Sequence, residues 1–223
     1  MIGRHRSGTR IRGTELTTDS NEWDSRYAGD ELVWSAEPNR TFAAEVTGLT
    51  PGRAIDLACG EGRNAIWLAA QGWDVTAVDF SQAGLDKARR LAAARAVHVT
   101  WVHADLHDYC PASASFELVA VIYLHLPAAS RRLVFGRAAD AVAPNGTLLV
   151  IGHDKTNISA GWGGPQDPAI LYGPADVLAD IDGLQVTRAE RVERDVATEL
   201  GPKVAIDVVV RATRSQTPPD HRR

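Results

Sequence analysis

"AIDLACGEGRNAIWLAAQGWDVTAVDFS", Ala54 to Ser81, is the stretch that decides the fold. Ala54–Leu57 is a short apolar run that ends at a glycine-bearing loop, so it reads as a buried strand. Asn64–Gln71 reads as a helix stopped by Gly72. Val75–Val78 is a second strand, closed by Asp79. Strand, glycine loop, helix and strand form a nucleotide-binding βαβ unit. Gly60, Gly62 and Ala65 satisfy the dinucleotide fingerprint by spacing, with an acid about twenty positions on. The residues around the glycines must decide which nucleotide.

Outward from this unit, strands and helices keep alternating. Ser81 caps a helix that puts Leu85, Ala88 and Leu91 on one face. Val97, Val99 and Trp101 alternate with His98, Thr100 and Val102, a third strand. Phe116–Ile122 is a fourth strand and Ala128–Val142 a helix ended by Pro144-Asn145-Gly146. Thr147–Ile151 is a fifth strand, followed by the glycine-rich "GHDKTNISAGWGGPQDP". Pro174 opens a helix that Gly183 ends. Val186–Val192 and Val204–Val210 pair as an antiparallel hairpin. Upstream, a helix from about Thr41 to Gly48 leads into the Thr50-Pro51-Gly52 turn. Five strand-plus-helix repeats and a hairpin predict one doubly wound, Rossmann-like α/β sheet of seven strands, mostly parallel, with an antiparallel C-terminal strand.

Composition narrows the partners. The chain has 223 residues, 44% hydrophobic and 23% charged, with a net charge of -4. No basic field invites nucleic acid, and no apolar run reaches the roughly twenty residues of a membrane span. The two cysteines, Cys59 and Cys110, suggest no structural disulfide, which is the expectation for a cytoplasmic protein. Cys59 is either a small residue in a tight loop or a reactive thiol. The basic start "MIGRHRSGTRIRG" lacks the apolar core of a secretory signal. Residues 1–20 and 214–223 are expected as disordered tails around a domain spanning 21–213. The N-terminal stretch is a tail or a start placed too early.

In a doubly wound sheet the ligand lies at the carboxyl ends of the strands. Asp56, Asp79 and Asp105 fall on that rim. A pyrophosphate wants bare amides at a helix N-terminus and no carboxylate beside them. Asp56 stands four residues before Gly60, and Glu61 lies between the glycines. That is a poor phosphate cradle and a good setting for a ligand with a cationic amino group, such as the amino acid part of S-adenosylmethionine. Gly60 and Gly62 would let backbone approach it. Asp79 would accept from ribose hydroxyls and Asp105, in "HADL", from the adenine amino group.

With "DLACGEG", the acid of "AVDFS" and Asp105 in order, the sequence resembles the class I S-adenosylmethionine-dependent methyltransferases from about Trp23 to Arg211. "CGEGRNAIWLAAQGWDV" is most similar to the tellurite-resistance group, which also carries Gly-Arg-Asn after the second glycine. The loop after strand five departs from that group. "WDSRY" is similar to a segment that folds over the cofactor in related enzymes. The resemblance implies S-adenosylmethionine as cofactor, held by Trp23, Tyr27, Asp56, Ala58, Gly60, Gly62, Arg63, Asn64, Asp79, Phe80, Ser81, Ala104, Asp105, Leu106, Ile122 and Tyr123. It implies a small-molecule methyl acceptor, and leaves a monomer or a homodimer open. No metal site is expected from His98, His103 and His107.

Each residue also has a plainer reading. Asp56 also reads as a cap on the next turn, Asp79 as a helix N-terminal residue, and Asp105 as part of a surface turn with Asp108. Asn64 bonds local backbone or the ligand. Arg63 pairs with Glu61 or lines the substrate side. His125 and His153 are the candidate general bases, His125 being equally a packed core histidine, with Asp154 beside His153. Trp162, Trp23, Tyr27 and Trp34 are an aromatic lid or separate core anchors. Methyl transfer is one in-line displacement that chiefly needs alignment and exclusion of water. Two rival readings are a nicotinamide-dependent oxidoreductase and a non-catalytic module that binds the cofactor.

Overall fold

The sheet is built around β1 (Arg53–Leu57), β2 (Asp74–Asp79), β3 (Thr100–His103), β4 (Phe116–Ile122), β5 (Val142–His153), β6 (Gln185–Val196) and β7 (Lys203–Thr213). The computed structural model describes residues 20–198 and 201–216. The strand order is β3-β2-β1-β4-β5-β7-β6. β1 to β5 run parallel, and β7 inserts antiparallel between β5 and β6. The helices are α1 (Ser20–Tyr27), α2 (Arg40–Val46), α3 (Arg63–Ala70), α4 (Gln82–Ala94), α5 (Ala128–Ala141), α6 (Asn157–Ala160) and α7 (Pro174–Leu178).

The two-residue period of the strands divides the core. Ile55, Leu57, Val119, Val121, Leu148, Val150, Val208 and Val210 face α5 and α7 with Phe135 and Tyr172. Ala54, Leu118, Ala120, Leu149, Ile151 and Val209 face α2 and α3 with Phe42 and Leu68. Central strands buried on both faces read as continuous apolar runs, as β4 does. Phe135 is fully buried, and truncating such a ring to alanine costs about 3–5 kcal/mol.

Several boundaries differ from expectation. The third strand starts at Thr100 rather than Val97, because the Val97 amide closes the end of α4 on Ala92 O at 3.1 Å. No helix joins β3 to β4; a turn over Asp105–Tyr109 takes its place, so one expected strand-plus-helix repeat is missing. α7 ends at Leu178, ahead of Gly183, and the chain turns to set the buried Asp180 against Arg131 Nε at 2.6 Å. The expected tails begin too early at one end and end too late at the other. Ser20 opens α1, while Arg214 is tied to Val142 O and Ala139 O at 2.7 and 2.8 Å. The rest of both expected tails lies outside the described residues.

Candidate active site

The strand order reverses between β1 and β4, and a crevice at such a switch point is where doubly wound sheets take ligands. The first residue past each strand has a left-handed backbone: Ala58 at φ 65° and Tyr123 at φ 59°. Such strain in residues with side chains concentrates at functional sites.

Asp56 lies near the end of β1, 1% exposed, and its Oδ2 has no hydrogen-bond partner. Burial, and then the charge of Asp79, push its carboxyl up to about 7, against the pull of Arg63 and the Ala65 amide. Arg63 opens α3 next to it and makes no hydrogen bond or ion pair among the described residues; its guanidinium sits 5.9 Å from the Trp34 ring. Desolvation lowers its pKa, with Tyr123 and Asp56 opposing. Asp79 is buried at the end of β2. Its Oδ2 accepts from the Gly60 amide at 2.7 Å and its Oδ1 from Ser81 N at 2.8 Å, so it fastens the glycine loop to the start of α4. Burial raises its pKa.

The glycines are used differently from expectation. Gly62 stands at φ 77°, and a Cβ there would meet Trp101 at 2.6 Å and Ala88 at 2.9 Å. Its bareness admits the protein's own packing. A Cβ on Gly60 would fall 2.7 Å from the Tyr27 hydroxyl. Tyr27, 5% exposed, therefore covers the loop, stacked on Trp23 at 5.4 Å. Glu61 does not face a ligand. It pairs with Lys87 at 3.0 Å and accepts from the Val33 and Trp34 amides, so its charge is no argument against a phosphate. Arg63 does not pair with it.

Other expected contacts have structural tasks. Asn64 Oδ1 accepts from Asn39 N at 3.0 Å. Ser81 caps α4 through Gly84 N and donates to Asp24. Phe80 O meets His103 Nε2 at 2.9 Å, and Ala104 N donates to Asp79 O. Leu106 and Ile122 are buried, one in each core. Asp105 is half exposed and bonds the amide and ring of its neighbour His107. Burial pushes the Cys59 thiol well up, so it stays protonated. The four aromatics do not form one lid: Trp162 is exposed against Lys203, while Tyr27 packs on Trp23.

A second cluster forms where β4, β5 and β7 end side by side. His153 pairs in register with Asp207. His153 Nδ1 and Asp207 Oδ1 stand 3.0 Å apart, an ion-pair contact whose angle falls outside hydrogen-bond geometry. Asp207 Oδ2 accepts from Tyr123 OH and from Arg194 Nε, both at 2.6 Å. Asn39 Nδ2 donates to the Tyr123 hydroxyl at 3.3 Å. Burial alone would raise Asp207, but His153, Arg194 and Tyr123 outweigh it and hold it below the ordinary value. Desolvation, and then Asp207, raise Tyr123.

His125 is not placed to act as a base. Its Nε2 accepts from the His153 amide at 3.0 Å, so the lone pair is spent. Burial, and then His153, push its pKa down to about 3. Asp207, Arg194 and Asn39 were missed in the sequence. The one available signal was an acid inside the apolar run "VAIDVVV", since a buried charge demands partners.

The seven-stranded sheet, mostly parallel with an antiparallel C-terminal strand inserted beside β5, is a Rossmann-like methyltransferase fold. Residues 54–146 match the methyltransferase domain family. Over 95 residues the chain is 36% identical to a demethylmenaquinone methyltransferase of Clavibacter sepedonicus, covering 43% of this chain and 37% of that one. Over 110 residues it is 28% identical to hemagglutinin 1 of Eikenella corrodens, covering 48% of this chain and 36% of that one. The chain thus spans little more than a third of these curated relatives. Among solved structures it is similar to one described for conversion of a disulfide bond into a thioacetal group during echinomycin biosynthesis. That likeness has a TM-score of 0.72 at 19% identity and covers 89% of this chain and 94% of the other. TehB of Haemophilus influenzae gives 0.66 at 11%, covering 88% and 67%. Magnesium protoporphyrin IX methyltransferase of Synechocystis PCC 6803 with bound SAM gives 0.60 at 20%, covering 89% and 92%. At these identities the likeness is one of fold.

Proposed function

We propose that the chain transfers a methyl group from S-adenosylmethionine to a small-molecule acceptor. One observation carries this reading: the buried, unpartnered Asp56 Oδ2 at the switch point, with the unpaired Arg63 guanidinium beside it. A carboxylate and a guanidinium side by side complement the ammonium and carboxylate of an amino acid. A pyrophosphate offers nothing for Asp56. The match of residues 54–146 to a methyltransferase domain supports the same cofactor.

When bound, S-adenosylmethionine supplies a methyl carbon activated by a sulfonium. Asp56 would hold the ammonium and Arg63 the carboxylate. Asp79 keeps lone pairs for ribose hydroxyls beyond the two amides it already serves. Tyr27 and Trp23 exclude water from the loop side, and water exclusion strengthens every charge contact within. The negative overall charge supports a small acceptor over nucleic acid,. Two free cysteines support a cytoplasmic setting,.

Calorimetric titration of the wild type, Asp56→Asn and Asp79→Ala with S-adenosylmethionine, S-adenosylhomocysteine and NAD tests this. The expected result is micromolar binding of both adenosyl ligands, none of NAD, and weakening of about tenfold or more in each variant. Binding of NAD alone overturns the reading in favour of a dehydrogenase-like domain.

A further inference from the structure

Resting on that cofactor reading, we infer that His153 is the general base for an acceptor whose nucleophile is a hydroxyl, of the phenol class, and that Asp207 is the positioning residue that orients it. Three groups converge on one carboxylate. Asp207 is fully buried, and Tyr123 and Arg194 both donate to its Oδ2. Its Oδ1 is left to His153 Nδ1. Arg194 keeps Asp207 anionic, and an anion at Nδ1 favours the tautomer with its proton there. That leaves the Nε2 lone pair of His153 free, and it has no hydrogen bond among the described residues.

The other groups facing His153 do not compete for a proton. His125 stacks on it at 5.4 Å with its own lone pair committed, and Tyr123 lies at 5.0 Å with its hydroxyl committed to Asp207. The cluster lies beside the proposed cofactor crevice, because Tyr123 follows β4 at the switch point and β5 is the next strand. A Cβ on Gly164 would fall 2.7 Å from Nε2, so the residue there must be a glycine for that edge to stay uncovered. Gly163 and Gly164 therefore border that edge without a side chain to cover it, and Asn157 Nδ2 donates to Gly163 O at 2.8 Å.

The chemistry sets the acceptor class. A thiol or heavier chalcogen attacks with little help, whereas a phenol must lose a proton as it attacks. In the step, the oxygen–carbon bond forms and the carbon–sulfur bond breaks. The hydroxyl proton passes to His153 Nε2, and S-adenosylhomocysteine leaves as a neutral thioether. The imidazolium so formed is stabilised by Asp207.

Two measurements test the inference. The first needs no methyl donor. 4-Nitrophenol, whose phenol and phenolate differ in colour, is bound to the protein at a pH where it is mainly protonated in water. Wild type should bind it as phenolate, and His153→Gln and Asp207→Asn as phenol. The second measures S-adenosylhomocysteine release with phenols of graded acidity. His153→Gln should lose about 100-fold or more on phenol itself, with the loss shrinking steadily as the phenol becomes more acidic. Asp207→Asn should move the pH profile of turnover, and Asp207→Glu should restore part of it. Equal losses across all phenols, or bound 4-nitrophenol unchanged by either variant, overturn the inference. S-adenosylmethionine binding without phenol methylation overturns it and leaves the cofactor reading standing. Failure of wild type to bind S-adenosylmethionine removes the cofactor reading as well.

Discussion

Glu61 and Lys87 pair at 3.0 Å with side chains only 3% and 5% exposed, and together they fasten the backbone before α2. Lys87 Nζ also donates to Glu31 O, and Glu61 accepts from Val33 N and Trp34 N. The residue between the two glycines thus joins the glycine loop to the segment that follows Tyr27.

Removing one partner leaves the other charge buried. Lys87→Met should destabilise the protein by about 3–5 kcal/mol, the usual cost of breaking a buried pair from one side. Urea unfolding measures it. Limited proteolysis should cut the 28–36 segment first, since three of its backbone groups depend on this pair. An unchanged unfolding midpoint with an unchanged cleavage pattern would sink the idea that the pair holds the segment.

Gly62→Ala tests whether the second glycine serves packing. The position combines a left-handed backbone with a contact on Trp101 too short for a methyl group. Strain and overpacking each cost about 1–3 kcal/mol, so a loss of about 2–4 kcal/mol is expected in denaturant unfolding. Trp101 fluorescence should shift as its ring is displaced. A neutral substitution would mean that α4 and β3 separate freely there.

The sheet was legible because its signals are local and repeated. The βαβ unit, Ser81 as a cap, and the apolar strands each follow from short-range pattern. β3 was misjudged at its start because Val97 fits a strand by alternation, and only the end of α4 reveals where its amide goes. The site was legible where a residue's place on the rim follows from strand order, as for Asp56 and Asp79. It was illegible where the geometry depends on pairs far apart in sequence. Asp207 meets His153 only because β7 inserts beside β5, and nothing near either residue announces that register. Glu61 was misread for the same reason: its partners are Val33, Trp34 and Lys87.

Asp56 and His125 should give opposite pH signatures. Folded Asp56 titrates near 7 against an ordinary 3.8, so the native state holds a proton that the unfolded chain has released. Its contribution therefore weakens stability as pH rises from about 4 to about 7. Folded His125 titrates near 3 against an ordinary 6.5, so the unfolded chain takes up the proton first. Its contribution weakens stability as pH falls from about 6.5 to about 3. Each slope is at most about 1.4 kcal/mol per pH unit. Relative to wild type, Asp56→Asn should gain stability as pH rises towards 7 and then level off. His125→Gln should gain relative stability as pH falls. Chemical denaturation across pH 4–8 reads both differences. A pH-independent difference for Asp56→Asn would mean that Asp56 is ionised in the folded protein throughout, with a cationic partner already supplied by Arg63.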